Sequence, residues 1–288
     1  TLEVEAVKDL EVITGTFNAE YGNAMSGVVN AVTKDGSNSF EGSLNSNYST
    51  YLTENKRNGN ELFIGLDPFG INSNYDTRFN ISGPLVKDKV YFFSNFRIQD
   101  INGHLNGVRR FQVWNLSDFY DQDTTNWTSE NTGDSTYVPM GTGNYSTYMG
   151  KISFNLGNIK FSVMKNINNG ISKGYGHIYK YNPDGRSYQD IKTTLDMFQL
   201  NHFLNEKMFY DIRISRTNNY YGSYVFKDFD SYNVTQSDGE YQGVYHFAGD
   251  TVYNYVHDKY MTAYGVGFFT GGQDKGHTQR TITTTNAK

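Results

Sequence analysis

No cysteine occurs in the 288 residues, so the chain carries neither disulfides nor thiolate metal ligands. Long hydrophobic runs are also missing. The oiliest cluster, KVYFFSNF at Lys89–Phe96, falls far short of the ~20 residues that a membrane helix requires. That excludes a transmembrane helix and leaves transmembrane strands open, since these need only about ten alternating residues each. Charge of one sign is not in excess: 25 basic and 30 acidic residues are intermixed for a net −5, and no basic stripe of the kind used on nucleic acid is present. Proline is scarce, with 4 residues. No signal peptide is seen. The chain starts at Thr1 without Met and closes on TITTTNAK with no strand pattern there, so it reads as a piece of something longer.

What is present favours strands and turns. Aromatics make up 16%, with 24 Tyr and 20 Phe, alongside 29 Gly. Only 37% of residues are hydrophobic, and mean hydropathy is −0.63. Polar residues fill the remainder, as in sheets with one wet face.

Leu10–Gly15 (LEVITG) alternates and stops at glycine, Asn18–Gly27 is rich in small residues with Asn18 placed to cap a helical turn, and Gly27–Gly36 is a β-branched strand ending in the turn dipeptide Asp35-Gly36. From Phe40 period two dominates. Phe40, Leu44 and Tyr48 alternate with Glu41, Asn45 and Ser49. Tyr75, Phe79 and Ile81 oppose Asp76, Arg78, Asn80 and Ser82, and Val90, Phe92, Phe96 and Ile98 oppose Tyr91, Asn95, Arg97 and Gln99. Tyr148, Ile152 and Phe154 then oppose Met149, Lys151 and Ser153, followed by Ile159, Phe161 and Val163 against Lys160, Ser162 and Met164. Leu195–Leu204 is less regular, and Tyr210, Ile212 and Ile214 alternate with Asp211, Arg213 and Ser215.

Connections alternate as well. Gly83–Lys89, Leu156–Asn158 and Asn205–Lys207 are tight, whereas Leu52–Asn74, Asp100–Tyr145, Asn168–Thr194 and the stretch after Thr217 are long and polar. Compact domains seldom carry loops beyond ~12–15 residues. An outer-membrane barrel does, with short turns on one rim and long loops on the other. In lipid every backbone polar group must be bonded within the protein, so strands survive only in a closed barrel. Lipid-facing positions are then apolar, and Arg78, Arg97, Lys151 and Arg213 face the lumen. Tyr48, Tyr51, Tyr91 and Tyr148 suit the interfacial girdles.

Val7–Gly36 (VKDLEVITGTFNAEYGNAMSGVVNAVTKDG) resembles the end of the plug of TonB-dependent outer-membrane receptors. The likeness rests on Glu11, Val12, Gly15, Ala19, Tyr21, Gly22, Gly27, Val28, Asn30, Thr33 and Lys34, and its spelling is similar to the Oar-like subgroup. Arg78–Arg97 resembles that subgroup's second and third barrel strands, with Gly83-Pro84 at the periplasmic turn, and YNPDG at Tyr181–Gly185 is a weaker match. The resemblance implies a mainly β chain: residues 1–36 end a plug domain, and residues 37–288 begin a barrel, contributing about seven or eight of about 22 antiparallel strands. It implies import of an extracellular nutrient (glycan, peptide or chelate) across the bacterial outer membrane. The implied energy is that of the inner-membrane proton gradient, delivered by TonB–ExbB–ExbD through parts absent from this chain. A surface lipoprotein is a further implied partner.

No chemistry-bearing constellation competes with that reading. The six histidines (104, 177, 202, 246, 257, 277) lack ligand spacing. Asp121–Trp127 (DQDTTNW) lacks the terminal Glu of a calcium loop, and Gly141–Ser146 (GTGNYS) lacks the third glycine of a dinucleotide site. We therefore expect no enzyme activity, cofactor or metal. Aromatics in the long loops, Trp114, Tyr120, Trp127, Tyr175 and Tyr179, are the candidate substrate contacts, by stacking on a sugar or packing on a peptide. Tyr220, Tyr221 and Tyr224 are weaker candidates. Competing classes are a surface adhesin built on the same barrel and a soluble secreted glycan-binding β-protein.

Overall fold

A computed structural model describes residues 3–13, 28–67, 74–113, 115, 117–119, 121–225, 232–237, 240–247, 250–254, 267–271 and 278–288. The ten strands used below are β1 (Val7–Ile13), β2 (Val28–Thr33), β3 (Glu41–Ser49), β4 (Asn74–Val86), β5 (Val90–Asn102), β6 (Thr142–Leu156), β7 (Ile159–Lys173), β8 (Tyr188–Asn205), β9 (Met208–Tyr224) and β10 (Thr278–Ala287). β1 and β2 form an antiparallel hairpin by themselves. The other eight make one antiparallel meander in chain order, from β3 at one edge to β10 at the other. Tyr232–Ser237, Glu240–Phe247 and Asp250–Asn254 pair into a separate ribbon within the long connection from β9 to β10. The chain is mainly β, and its large sheet is consistent with part of a β-barrel.

Residues directly opposite in neighbouring strands share a face. The register therefore sorts the side chains without ambiguity. Leu44, Phe79, Phe96, Tyr148 and Ile167 form one lateral row. Phe92, Ile152, Val163, Phe198 and Ile214 form a second, and Val90, Phe154, Phe161, Leu200 and Ile212 a third. Phe154 and Phe161 stack at 4.2 Å within that third row. On the opposite face the rows read Asn80, Asn95, Met149, Asn166, and Ser82, Phe93, Lys151, Met164, Met197. The buried cluster Ala6, Phe93, Met149 and Met164 sits on this polar face, where the N-terminal segment lands on the sheet. The outer apolar rows converge on no interior: Phe79 is 43% exposed and Val163 51%.

The rows also measure how the strands tilt. In the third row, Val90 opens β5, Phe154 lies two residues before the end of β6, and Phe161 two residues into β7. Leu200 lies five residues before the end of β8, and Ile212 four into β9. The hairpin ends thus step past one another by about one residue per strand. With a ~3.3 Å rise and ~4.8 Å strand spacing, that stagger tilts the strands by roughly 35–40°, the range that closes membrane barrels.

Several boundaries differ from the sequence expectation. Gly83 and Pro84 lie inside β4, and the turn is Lys87–Lys89 with Asp88 at φ 63°. Pro84 has no N–H to give, and the ladder slips between Pro84 and Val86. Gly83 itself lies beneath the Phe40 ring on the outer face. Tyr91 pairs with Pro84 and Ser153 on the polar face, so it does not belong to the lipid girdle. Thr278–Ala287 is a strand, contrary to the pattern-free reading of that stretch. Strands β6 to β9 run 15–18 residues, well beyond the oily alternation that announced them. The predicted cap at Asn18 lies outside the described residues.

Lysine introduced on the two faces should behave oppositely. In the membrane-refolded full-length protein, Ile152→Lys should cost about 2–4 kcal/mol in urea titrations, the range for a lysine near the bilayer midplane. Ser162→Lys on the polar face should cost under about 1 kcal/mol.

Candidate functional site

Two arrangements on the sheet carry the functional geometry. The first is the seat of the N-terminal segment. Arg78 and Arg97 stand directly opposite each other on β4 and β5, a repulsive like-charge pair by itself. Asp76 resolves it. Arg97 donates to both of its oxygens from Nε and Nη2 (2.8 and 2.9 Å), and Arg78 Nη2 donates at 2.9 Å. From the segment, Glu3 accepts from Arg97 Nη1 at 3.1 and 3.2 Å, and Glu5 lies 3.7 Å from Arg78. Three carboxylates thus surround two guanidiniums.

Further along the segment, Lys151 Nζ reaches Asp35 Oδ1 (2.8 Å) and donates to Thr33 Oγ1 (3.0 Å), while Ser153 Oγ donates to the same Asp35 oxygen at 2.5 Å. The Lys151 side chain is only 8% exposed. Next to this knot the backbone lies flush against the wall: a methyl added at Gly36 would collide with the carbonyl oxygens of Phe92 and Gly83. Beyond it, Asn38 exchanges two hydrogen bonds with Asp88 in the β4–β5 turn. Lys34 N donates to Ala6 O, so both ends of the hairpin base are gathered at one place. Beside the knot, a cavity of about 310 Å³ is lined by Asp35, Tyr91, Lys151, Ser153, Lys160, Ser162, Gln199 and Asn201 among others. Asn95 and Asn166 on the same face lie 1% and 4% exposed, with amide atoms that no described group satisfies.

The second arrangement is a cap at the opposite rim. Val108 N donates to Lys180 O, Phe111 N to Tyr181 O and Phe269 N to Ile178 O, tying three long connections together. Met140, Tyr179 and Phe269 make its core, with Tyr175 packed against them. Arg109 is the staple. It donates from Nε to Asp184 (2.5 Å) and from Nη1 to Asp134 (3.0 Å), and the Asp184 hydrogen bond above all pushes its pKa up. The Thr136 amide, and after it the Thr136 hydroxyl and Arg109, pull the Asp134 carboxyl down to about 2.

Of the predicted substrate contacts, Trp114 and Tyr120 lie outside the described residues. Trp127 donates its indole N–H to Asp121 O and meets Phe119 edge-on at 5.5 Å. Tyr175 shares a 2.6 Å hydrogen bond with His177 Nδ1, and Tyr179 is buried against Phe269 at 4.6 Å between rings. Tyr175 and Tyr179 therefore meet in the cap, whereas Trp127 packs within its own loop. Gly15, Ala19, Tyr21, Gly22 and Gly27 also lie outside the described residues, and Val28 and Asn30 pair through β2 with Ile13 and Glu11. Asp121 and Asp123 use their carboxylates on nearby backbone amides. Sequence reading missed Glu3, Glu5, Asp35 and Arg109. The available signal was charge: three cations on the wall's polar face and three acids in the segment beside it.

Comparison with known proteins finds the TonB-dependent transporter Oar of Myxococcus xanthus, 34% identical over 105 residues, which cover 33% of this chain and 9% of that protein. It also finds the probable TonB-dependent siderophore receptor PirA of Acinetobacter baumannii, 35% identical over 89 residues, covering 31% of this chain and 10% of that protein. The chain spans about a tenth of the length of these curated relatives. No family model and no solved structure matches.

Two outcomes test the cap. Arg109→Ala should raise the rate of proteolytic nicking between residues 105 and 185 several-fold, with the sheet left intact. The Asp134 pKa is lower in the folded chain than the ordinary 3.8, so its stabilisation is present above that pH and is lost as pH falls through about 2. Protection of the Thr136 amide in hydrogen exchange should accordingly hold at pH 4 and fade toward pH 2.

Proposed function

We propose that this chain, whose similarity to two TonB-dependent proteins supports a TonB-dependent receptor fragment, supplies the end of a plug (residues 1–36) and the start of a transmembrane barrel (residues 37–288) in an energised outer-membrane importer. The single observation that carries the reading is the two-faced sheet with the N-terminal segment docked on its polar side. Apolar rows suit hydrocarbon, and the polar rows suit a water-filled lumen that a plug must occupy.

Import needs an outer binding surface, a removable obstruction and a source of work. The cap supplies the first: Tyr179 and Arg109 hold its loops together from within, and the partly exposed Tyr175 is the aromatic group left to meet a glycan, peptide or chelate. The docked segment supplies the second. The glycines of the plug motif, Gly15, Gly22 and Gly27, allow its chain to turn sharply in a crowded lumen. Work comes from TonB–ExbB–ExbD acting on parts of the protein outside these residues, and a surface lipoprotein is a natural companion for the long loops. Bond-breaking chemistry has no part in this scheme.

Cells carrying the full-length protein should accumulate its nutrient only while the inner-membrane gradient stands. A protonophore should abolish uptake and leave surface binding intact. Uptake that persists without the gradient would remove the energised-import reading, and binding without any uptake would favour an adhesin.

A further inference from the structure

One row on the outer face is charged rather than oily. Directly beyond Val163, Phe198 and Ile214, two residues further from the tight turns, the outward positions of β7, β8 and β9 are Lys165, Asp196 and Arg216. Lys165 Nζ donates to Asp196 Oδ1 at 2.9 Å, with both side chains 52% exposed. Exposed Arg216 stands opposite Asp196 in the ladder, yet among the described residues no carboxylate lies within ion-pair distance of it. Further along the same face, exposed Lys192 lies opposite Tyr220 with its ammonium 5.8 Å from the ring centroid, and it too lacks a carboxylate partner among the described residues. Asp190, two residues on, is buried and accepts from the Tyr224 hydroxyl at 2.6 Å. Beside Lys192 the outer face carries a cavity of about 370 Å³, lined by Asn144, Asn169, Ile171 and Asp190 among others. Past the charged row the next outward residues of β8 and β9 are Thr194, Lys192, Asn218 and Tyr220, so the apolar belt ends here.

We infer that Arg216, Lys192 and the adjoining cavity seat the phosphate-bearing headgroup of one lipid of the outer leaflet. The leaflet rests on the barrel reading proposed above, with the tight turns on the periplasmic rim. Level and charge carry the rest. Lipid chains that cover Val163, Phe198 and Ile214 bring their headgroups to the edge of the belt, and cations placed there are drawn to anionic lipid. Arg216 presents a planar fork that matches phosphate, and Lys192 presents a compact point charge. Four residues of β8 separate Lys192 from Asp196, the ladder partner of Arg216, which sets the two cations roughly 13 Å apart along the strands. That span fits a headgroup with two phosphates, a diphosphorylated disaccharide, with Asn144 and Asn169 beside it to bond its hydroxyls. Asp196 neutralises Lys165 and opposes the phosphate, so the attraction of the seat comes from Arg216 and Lys192.

Native mass spectrometry of the full-length protein in detergent micelles, titrated with diphosphoryl lipid A, tests the assignment. One lipid should be retained, and the dephosphorylated lipid should bind at least tenfold more weakly. Inorganic phosphate at millimolar concentration should not displace it. The double variant Arg216→Gln/Lys192→Gln should weaken retention roughly 30-fold, from two cations near an anionic headgroup. Asp196→Asn should instead tighten it several-fold, a gain that a merely structural role for the row would not produce. Lys207→Gln, in the tight turn at the other rim, should change nothing, and heat-dependent gel migration checks that each variant is folded. Equal retention of phosphorylated and dephosphorylated lipid, or folded variants that bind as the parent does, would overturn the seat. So would displacement by inorganic phosphate, which marks a free-anion site, or a dimer abolished by Arg216→Gln, which marks a second copy on the row. Uptake that persists without the gradient would contradict the importer and leave the seat standing, whereas loss of lipid selectivity would remove the seat and leave the importer.

Discussion

Backbone pairing between neighbouring strands of the sheet is the constraint from which the other features descend. Once β3 to β10 are locked in an antiparallel ladder, each side chain is committed to one of two faces, and a one-residue slip would exchange them. The consequence here is a face of Phe, Ile, Val and Leu rows backed by a face of Asn, Ser, Lys and Arg. The same ladder carries a stagger of about one residue per strand, and that stagger turns a sheet into a barrel wall.

The polar face creates a problem that the N-terminal segment solves. Two opposed arginines and a buried lysine on one wall are costly without counter-charges. The wall supplies Asp76, and the segment supplies Glu3, Glu5 and Asp35. Among the described residues, the buried apolar cluster at the seat is Ala6 against Phe93, Met149 and Met164, with Leu195 and Met197 partly buried beside them. The seat is therefore mostly electrostatic and directional, and its hold can be changed by moving a few charges.

Legibility of the sequence followed the apolar belt. Phe92, Ile152, Phe154, Phe161 and Ile214 announced their strands because their neighbours in the chain face the other way and are polar. Above the belt that contrast vanishes. Thr142–Thr147, Asn168–Lys173 and Tyr188–Thr194 are paired in the ladder yet carry polar residues on both faces, so period two gave no sign of them. β10 shows the same effect. Its Thr278–Asn286 lies beside Ser215–Ser223, beyond Ile214, where outward positions have no reason to be oily, and threonine suits a strand without marking a face. Pro84 misled in the other direction, as turn chemistry placed inside a strand at a slip in the ladder. The contacts of Glu3, Glu5 and Asp35 with the sheet were illegible because they join residues 73 to 118 positions apart, and no local pattern reports a partner so distant.

Paired spin labels decide the central assignment most directly. Nitroxides placed singly at Val163 and Ser162 of the full-length protein in bilayers report collision with oxygen, which concentrates in hydrocarbon, and with a water-soluble nickel chelate. The account predicts strong oxygen and weak nickel relaxation at 163, and the opposite balance at 162. Equal accessibility at the two positions, or the reversed order, would contradict a wall with hydrocarbon on one side and a hydrated lumen on the other.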